Sequence, residues 1–257
     1  EAPPTIGGVS TRVGTGFPAA ADAWLTPQPS VRILAVGRGT TAMALRLAVR
    51  GAAVTLIDND DEALRNAQQR VPQVTVVAAV GEALPFQPCS FDQVLVAQGM
   101  HLLAPGLALA EFARVLVADG LLAVSHTTRD DSVPWVRRLA GILQAHDPEL
   151  MTGRAVEPSA ALADNPYFPD IEYRGFRQWV PITRDGMISM VAGRLSALPT
   201  DDVAALLDQV ADLYDVSARP PDPLTLPYTV QCWRSRVDHS EFTSQLDLAD
   251  DSLRITL

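Results

Sequence analysis

Apolar positions follow two alternating rhythms through the first half of the chain. Short apolar runs occur at Val31-Arg-Ile-Leu-Ala-Val36, Ala53-Val-Thr-Leu-Ile57, Val74 to Ala78, Phe91-Asp-Gln-Val-Leu-Val-Ala97 and Leu121 to Ser125. Runs of this length, stopped by turn residues, read as buried strands. Between them, apolar residues recur at helical spacing. Ala42, Met43, Leu45, Leu47 and Ala48 follow Thr40 and Thr41, which can cap a helix, and Gly51 ends that segment. Asp60 or Asp61 opens a second helix to about Gln69. A third covers about Leu107–Leu116, and Asp119-Gly120 makes the turn into the fifth strand. Strands alternating with helices predict parallel βαβ units in a doubly wound α/β sheet.

The rhythm changes after His126. Ser132 to about Gln144 reads as a helix, with Pro134 in its first turn. Residues 147–170 hold four prolines and few periodic apolar positions, which predicts a loop or lid. A strand at Ile171–Val180, two amphipathic helices at about Arg184–Ala197 and Asp201–Tyr214, and a last strand at Leu226–Val237 follow. The expected organisation is a single domain over 1–237, with 127–225 as an elaboration over the acceptor site. An acidic tail, 238–257, is expected to pack loosely.

Composition adds exclusions. Of 257 residues, 47% are apolar and 19% charged, enough to fill a core. No stretch nears the roughly 18 consecutive apolar residues of a membrane span, and no charged-then-apolar leader opens the chain. A soluble, cytoplasmic protein without a membrane partner is expected. The net charge of -10 repels a phosphate backbone, so nucleic acid is not expected as a partner. All 20 basic residues are Arg, which removes Schiff-base, pyridoxal-phosphate and P-loop lysine chemistry. Cys89 and Cys232 form no CxxC pair, and buried free thiols are expected.

The segment Leu34-Ala-Val-Gly-Arg-Gly-Thr-Thr41 ends the first strand. Its two glycines allow close backbone approach to a ligand, and the helix start offers free N–H groups. Asp58 ends the second strand, 21 residues after Gly37, where a carboxylate can accept from both ribose hydroxyls of an adenosine ligand. The alternative is a plain tight turn with a helix-capping Asp. Ala42 stands where a dinucleotide motif has its third glycine.

Three further blocks follow in order: Glu82-Ala-Leu-Pro-Phe86, Ser90-Phe-Asp-Gln-Val-Leu-Val-Ala-Gln98 and Ala113-Arg-Val-Leu-Val-Ala-Asp-Gly120. Together with the glycine turn they resemble the class I S-adenosylmethionine-dependent methyltransferases. Thr128-Arg-Asp-Asp-Ser-Val-Pro-Trp135 and Leu226-Pro-Tyr-Thr-Val-Gln-Cys-Trp233 resemble an actinobacterial small-molecule subgroup akin to trans-aconitate methyltransferases. The resemblance spans about 17–237. It implies a Rossmann-like sheet of seven strands in the order 3-2-1-4-5-7-6, with the last strand antiparallel. It also implies that S-adenosylmethionine lies against Gly37 and Gly39, with Asp58 on the ribose and Asn59 beside the adenine. Gly81 and Glu82 would border the adenine, and Ala97 and Gln98 would lie beneath the sulfonium.

The chain departs from that pattern at four places. The family has an acid at Ala35, glycine at Thr41, usually Asp at Val80, and Pro-Gly at Ala118-Asp119. Arg38 can grip the methionine carboxylate or point to solvent. His101, just after the fourth strand, is the candidate general base, against a packing or capping role. Arg129 can bind a substrate carboxylate or pair with Asp130 or Asp131, and Trp135 can wall the acceptor or fill core. Asp58-x-Asp60 is better explained by a strand-end acid and a helix cap than by a metal pair, so no metal is expected. Three readings follow. The first is an S-adenosylmethionine-dependent transfer to a small-molecule acceptor, at a carboxylate or hydroxyl oxygen. The second is a non-catalytic relative with a degenerate cofactor site, acting as a partner or regulatory subunit. The third is a nicotinamide-dependent oxidoreductase, which the Glu82–Phe86 and Ser90–Gln98 blocks argue against. The acceptor and the oligomeric state stay open.

Overall fold

The computed structural model describes residues 17–28, 31–148, 158–163, 165–193, 195 and 200–243. In chain order the elements are α1 (Ala19–Leu25), β1 (Arg32–Val36), α2 (Thr41–Val49), β2 (Ala53–Asp58), α3 (Asp61–Arg70), β3 (Thr75–Ala78), β4 (Phe91–Ala97) and α4 (Pro105–Val115). Then come β5 (Leu116–Arg129), α5 (Pro134–Gln144), α6 (Pro158–Leu162), β6 (Glu172–Ile182), α7 (Arg184–Ala192), α8 (Thr200–Ser217), β7 (Leu224–Arg236) and α9 (Ser240–Thr243). The strands form one seven-stranded sheet, ordered β3-β2-β1-β4-β5-β7-β6, as the resemblance implied. β1 pairs parallel with β2 and β4, and β2 parallel with β3. The pairs Asp130 N to Pro227 O and Val237 N to Gly120 O run in opposite senses along the chain, so β7 is antiparallel to β5.

Two compact units divide the chain. The first, residues 28–124, 157–172 and 233–257, holds β1 to β4. Val94, Val96, Leu34 and Val36 pack there with Leu109, Phe112, Leu122 and Trp233. β4 is buried almost throughout, as a central strand of a parallel sheet must be. α3 starts where expected: the Asp60 carboxylate accepts from the N–H groups of Glu62 and Ala63, a cap worth about 1 kcal/mol. In the second unit, residues 1–27, 125–156 and 173–232, a separate cluster joins Leu139, Leu143, Val180, Val191, Leu206 and Val210 from α5, β6, α7 and α8. Among the described residues no helix is long and apolar enough to cross a membrane.

Several expectations need correction. The fifth strand begins at Leu116, directly after α4, and runs to Arg129. Asp119-Gly120 is a kink inside it, with Asp119 at φ 63. The Gly120 carbonyl already accepts from Val237, so pairing with β7 overrides the turn signal. Thr40 precedes α2 without capping it through its side chain. The stretch 158–170 contains α6, and Leu162 and Phe168 are buried in the first unit's core, so these residues are not a lid. Residues 149–157, and the expected helix end at Ala197, lie outside the described residues. The start of the tail is packed: Asp238 N donates to Tyr167 O, and Phe242 stacks on Tyr167 at 5.2 Å. Both thiols are free, but Cys89 is exposed and only Cys232 is buried.

Candidate cofactor cleft

The ends of β1, β2 and β4 and the loop after β3 enclose a cleft of about 430 Å³, all within the first unit. That volume suits a small-molecule or cofactor site. Gly37, Gly39, Asp58, Asn59, Gly81, Glu82 and Gln98 line it together. Val36, Ile57, Val80, Val96, Leu102 and Leu103 add apolar wall.

The two glycines of the turn are needed for different reasons. Gly37 has φ +80, and a Cβ there would meet nothing within 4 Å. Its requirement is conformational: the turn reverses the chain while its N–H donates to Ile57 O at 2.9 Å. A Cβ at Gly39 would lie 2.2 Å from Ala97 O and 2.8 Å from the Cβ of Gln98. Here glycine permits the turn to rest on the end of β4. Thr40, fully buried, bolts the same junction. Its hydroxyl donates to Val36 O at 2.6 Å and accepts from Ala97 N at 2.7 Å. Ala97 therefore acts through its backbone, and the next residue, Gln98, faces the cleft at φ 58. A non-glycine residue in the left-handed region is held there by its surroundings.

Asp58 is buried, and its Oδ1 accepts from Asp60 N at 2.9 Å. One such bond fixes the side chain and leaves acceptor capacity on a carboxylate. Its own carbonyl accepts from Ala79 N at 3.1 Å, tying the strand end to the loop after β3. Asn59 is exposed at the rim. Glu82 Oε1 accepts from Ala104 N at 2.8 Å, just before α4. Gly81 is buried, and an added Cβ would crowd the Leu103 side chain at 3.1 Å and touch Val36 at 3.4 Å. Arg38 belongs to a 3-10 turn, Arg38–Thr40, and its side chain lies outside the described part.

The remaining candidates sit elsewhere. His101 lies in a 3-10 turn, Met100–Leu102, and is exposed; its neighbours Leu102 and Leu103 line the cleft. In the second unit, Arg129 forms a two-pronged ion pair with Asp131, with Nη2 to Oδ2 at 3.0 Å. Trp135 packs against the apolar cluster there. Of the departures, Ala35 is wholly buried in β1, Thr41 is half-buried, and Val80 is exposed on the cleft wall.

Sequence reading missed a second set. Glu111 and Arg114 on α4 form an ion pair at 2.7 Å and grip the Glu82–Phe86 loop. The bonded Arg114 guanidinium, helped by the Leu84 N–H, holds the Glu111 carboxyl below the usual carboxylate range despite its partial burial. The available cue was an acid three residues before the arginine of the Ala-Arg-Val-Leu block, at the helical spacing for facing side chains.

Residues 34–124 match the methyltransferase-domain family. An uncharacterized methyltransferase from Mycobacterium bovis is 30% identical over 234 residues, 89% of this chain and 92% of its own. A malonyl-[acyl-carrier protein] O-methyltransferase from Geobacter sulfurreducens is 41% identical over 98 residues, 36% of this chain and 37% of its own. A solved structure presented as a type II methyltransferase, from Anaeromyxobacter dehalogenans, aligns with a TM-score of 0.59 at 21% identity, over 86% of this chain and 96% of that one; it speaks for the fold alone. With a match of that length, the expected strand order and the motif residues gathered in one cleft, the chain belongs to the class I S-adenosylmethionine-dependent methyltransferases.

Proposed function

We propose that the protein transfers the methyl group of S-adenosylmethionine to an oxygen of a small-molecule acceptor, a carboxylate or a hydroxyl. The observation that carries the cofactor side is the cleft itself: a glycine turn, a buried strand-end carboxylate and about 430 Å³ of space in one place. Asp58 accepts from the two ribose hydroxyls, the backbone at Gly37 and Gly39 lies against the methionine part, and Val80, Gly81 and Glu82 border the adenine. When bound, the cofactor supplies an electrophilic methyl on a sulfonium whose leaving thioether is neutral. The chain then needs mainly to align the acceptor with the methyl group. The O–CH₃ bond forms as the S–CH₃ bond breaks, and its electron pair stays on sulfur. A carboxylate acceptor has no proton to lose. A hydroxyl acceptor does, and His101 is the base we assign to take it. We assign acceptor binding to residues 127–225, with Arg129 and Trp135 as contributors; Arg129 must then share its guanidinium with Asp131. The O-methyltransferase relative supports oxygen as the target, and the net charge of -10 supports a partner other than nucleic acid.

The test uses S-adenosylmethionine labelled in its methyl group, offered with a panel of small carboxylates, alcohols and amines. Label in a base-labile ester or a stable ether is the expected result. Label found on nitrogen or carbon, with none on oxygen, would overturn the oxygen assignment.

A further inference from the structure

Glu82 to Phe86 is an irregular loop whose main-chain groups cannot be satisfied within a helix or a strand. Their partners come from two charged side chains on α4. Glu111 Oε2 accepts from Leu84 N at 2.7 Å. Arg114 Nη1 donates to Phe86 O at 2.7 Å, and Nη2 to Leu84 O at 3.0 Å. The two side chains also pair with each other, Nε to Oε1 at 2.7 Å and Nη2 to Oε2 at 2.8 Å. Each therefore holds its partner in place while binding the loop, and a planar guanidinium fork suits that double task. At its other end the loop is tied back by Glu82 to Ala104 N, and a short bridge joins Val80 to Ala83. α4 is a rigid base for the arrangement, because Leu109, Phe112 and Ala113 are buried in the core.

We propose that Glu111 and Arg114 are positioning residues for cofactor binding, setting the adenine-side rim of the cleft by holding the Glu82–Phe86 loop on α4. The inference rests on the assignment of that cleft to S-adenosylmethionine. Val80, Gly81 and Glu82 line the cleft, and the gripped groups lie two to six residues further along the chain. Removing the pair frees three main-chain groups of one short loop, so the rim becomes mobile where the purine must be clamped. The pair is only partly exposed, at 28% and 22% for Arg114 and Glu111, so solvent weakens it less than a pair on the open surface.

The experiment compares wild type, Arg114→Met, Arg114→Lys and Glu111→Gln. Calorimetry gives dissociation constants for S-adenosylhomocysteine and 5′-methylthioadenosine, at a temperature where circular dichroism shows each variant folded. Hydrogen exchange is followed over residues 80–86. Arg114→Met removes both guanidinium bonds to the loop and is expected to weaken both ligands about ten-fold through the loosened rim. Exchange over the loop should quicken in the free protein and slow again with ligand. Glu111→Gln keeps an oxygen for Leu84 N–H and should stay within about three-fold of wild type. If Arg114→Met does not fold, Arg114→Lys carries the test, since an ammonium keeps the charge but lacks the fork; it should bind measurably more weakly than wild type. A variant that melts earlier yet binds both ligands with wild-type affinity would reduce the pair to a structural role and overturn the proposal. Wild-type protein that binds neither ligand would overturn the cofactor assignment itself, and this inference with it.

Discussion

The two units are built by different means. Around the cleft, geometry is fixed by individual atoms: the missing Cβ of Gly39, the hydroxyl of Thr40, the Asp58 carboxylate and the Glu111–Arg114 pair. The second unit is held mainly by bulk. Leu139, Leu143, Val191, Leu206 and Val210 fill a cluster that other apolar side chains of similar volume would fill as well. Its Arg184–Asp215 ion pair lies at the surface, exposed by 46% and 54%. A region fixed by single atoms can tolerate few sequences, so it leaves a motif. A region fixed by volume tolerates many, and leaves only a periodicity.

Four measurements sharpen or break that contrast. The largest contrast, in rate, is between the two thiols. Burial, helped by the Asp22 charge, pushes the Cys232 thiol up to about 12, so it stays protonated and inert until the pH approaches that value. Exposed Cys89 should react with an aromatic disulfide at pH 8, and Cys232 only after denaturant is added. Two thiols titrating promptly in the native protein would contradict the closed packing around Cys232. Next, Gly39→Ala drives a Cβ into the Ala97 carbonyl and should lower stability by about 3 kcal/mol or more, or prevent folding. Gly37→Ala meets open space and should cost about 1–2 kcal/mol, for its left-handed φ alone. Leu206→Met in the second unit should cost less than about 1.5 kcal/mol. Denaturant melts of the three variants check the ranking; equal losses at Gly39 and Leu206 would remove the distinction between the regions.

Thr40→Val leaves Ala97 N–H buried without its acceptor and should cost about 1–3 kcal/mol, while Thr40→Ser keeps the hydroxyl and should recover much of it. The smallest effect is expected from Arg184→Ala, about 0–1 kcal/mol, further reduced by salt. A loss comparable with Thr40→Val would mean that the second unit also depends on single polar contacts.

Legibility in the sequence follows the same division. The strand at Phe91–Ala97 was readable to the residue, because Phe91 and the apolar run Val94–Ala97 stand between turn residues on both sides. Asp58 and the glycines were readable as a spacing, and the structure brings them to one cleft. Thr40 was misread as a helix cap, since side-chain type tells that a hydroxyl wants a partner but not that the partner is Ala97 on another strand. The start of β5 was misplaced because Asp119-Gly120 carries a turn signal, and the competing pairing with Val237 is 117 residues away. α6 went unseen within a proline-rich stretch: five residues are too few to show a period, and its burial is a tertiary fact. The role of Glu111 and Arg114 was not legible, because the main-chain groups they bind belong to a loop 27 to 30 residues earlier.

The central claim is that the cleft at the ends of β1 and β2 binds the adenosine of S-adenosylmethionine through Asp58. Calorimetry with S-adenosylhomocysteine, on protein stripped of bound cofactor, tests it most directly with wild type, Asp58→Ala and Asp58→Asn. Asp58→Asn keeps an oxygen for the Asp60 N–H, which separates loss of the ribose contact from loss of the local turn. Wild type is expected to bind in the micromolar range, Asp58→Ala about ten-fold or more weakly, and Asp58→Asn in between, with all three folded. Equal affinity across the three would mean that Asp58 serves only the turn before α3 and that the cofactor is held elsewhere.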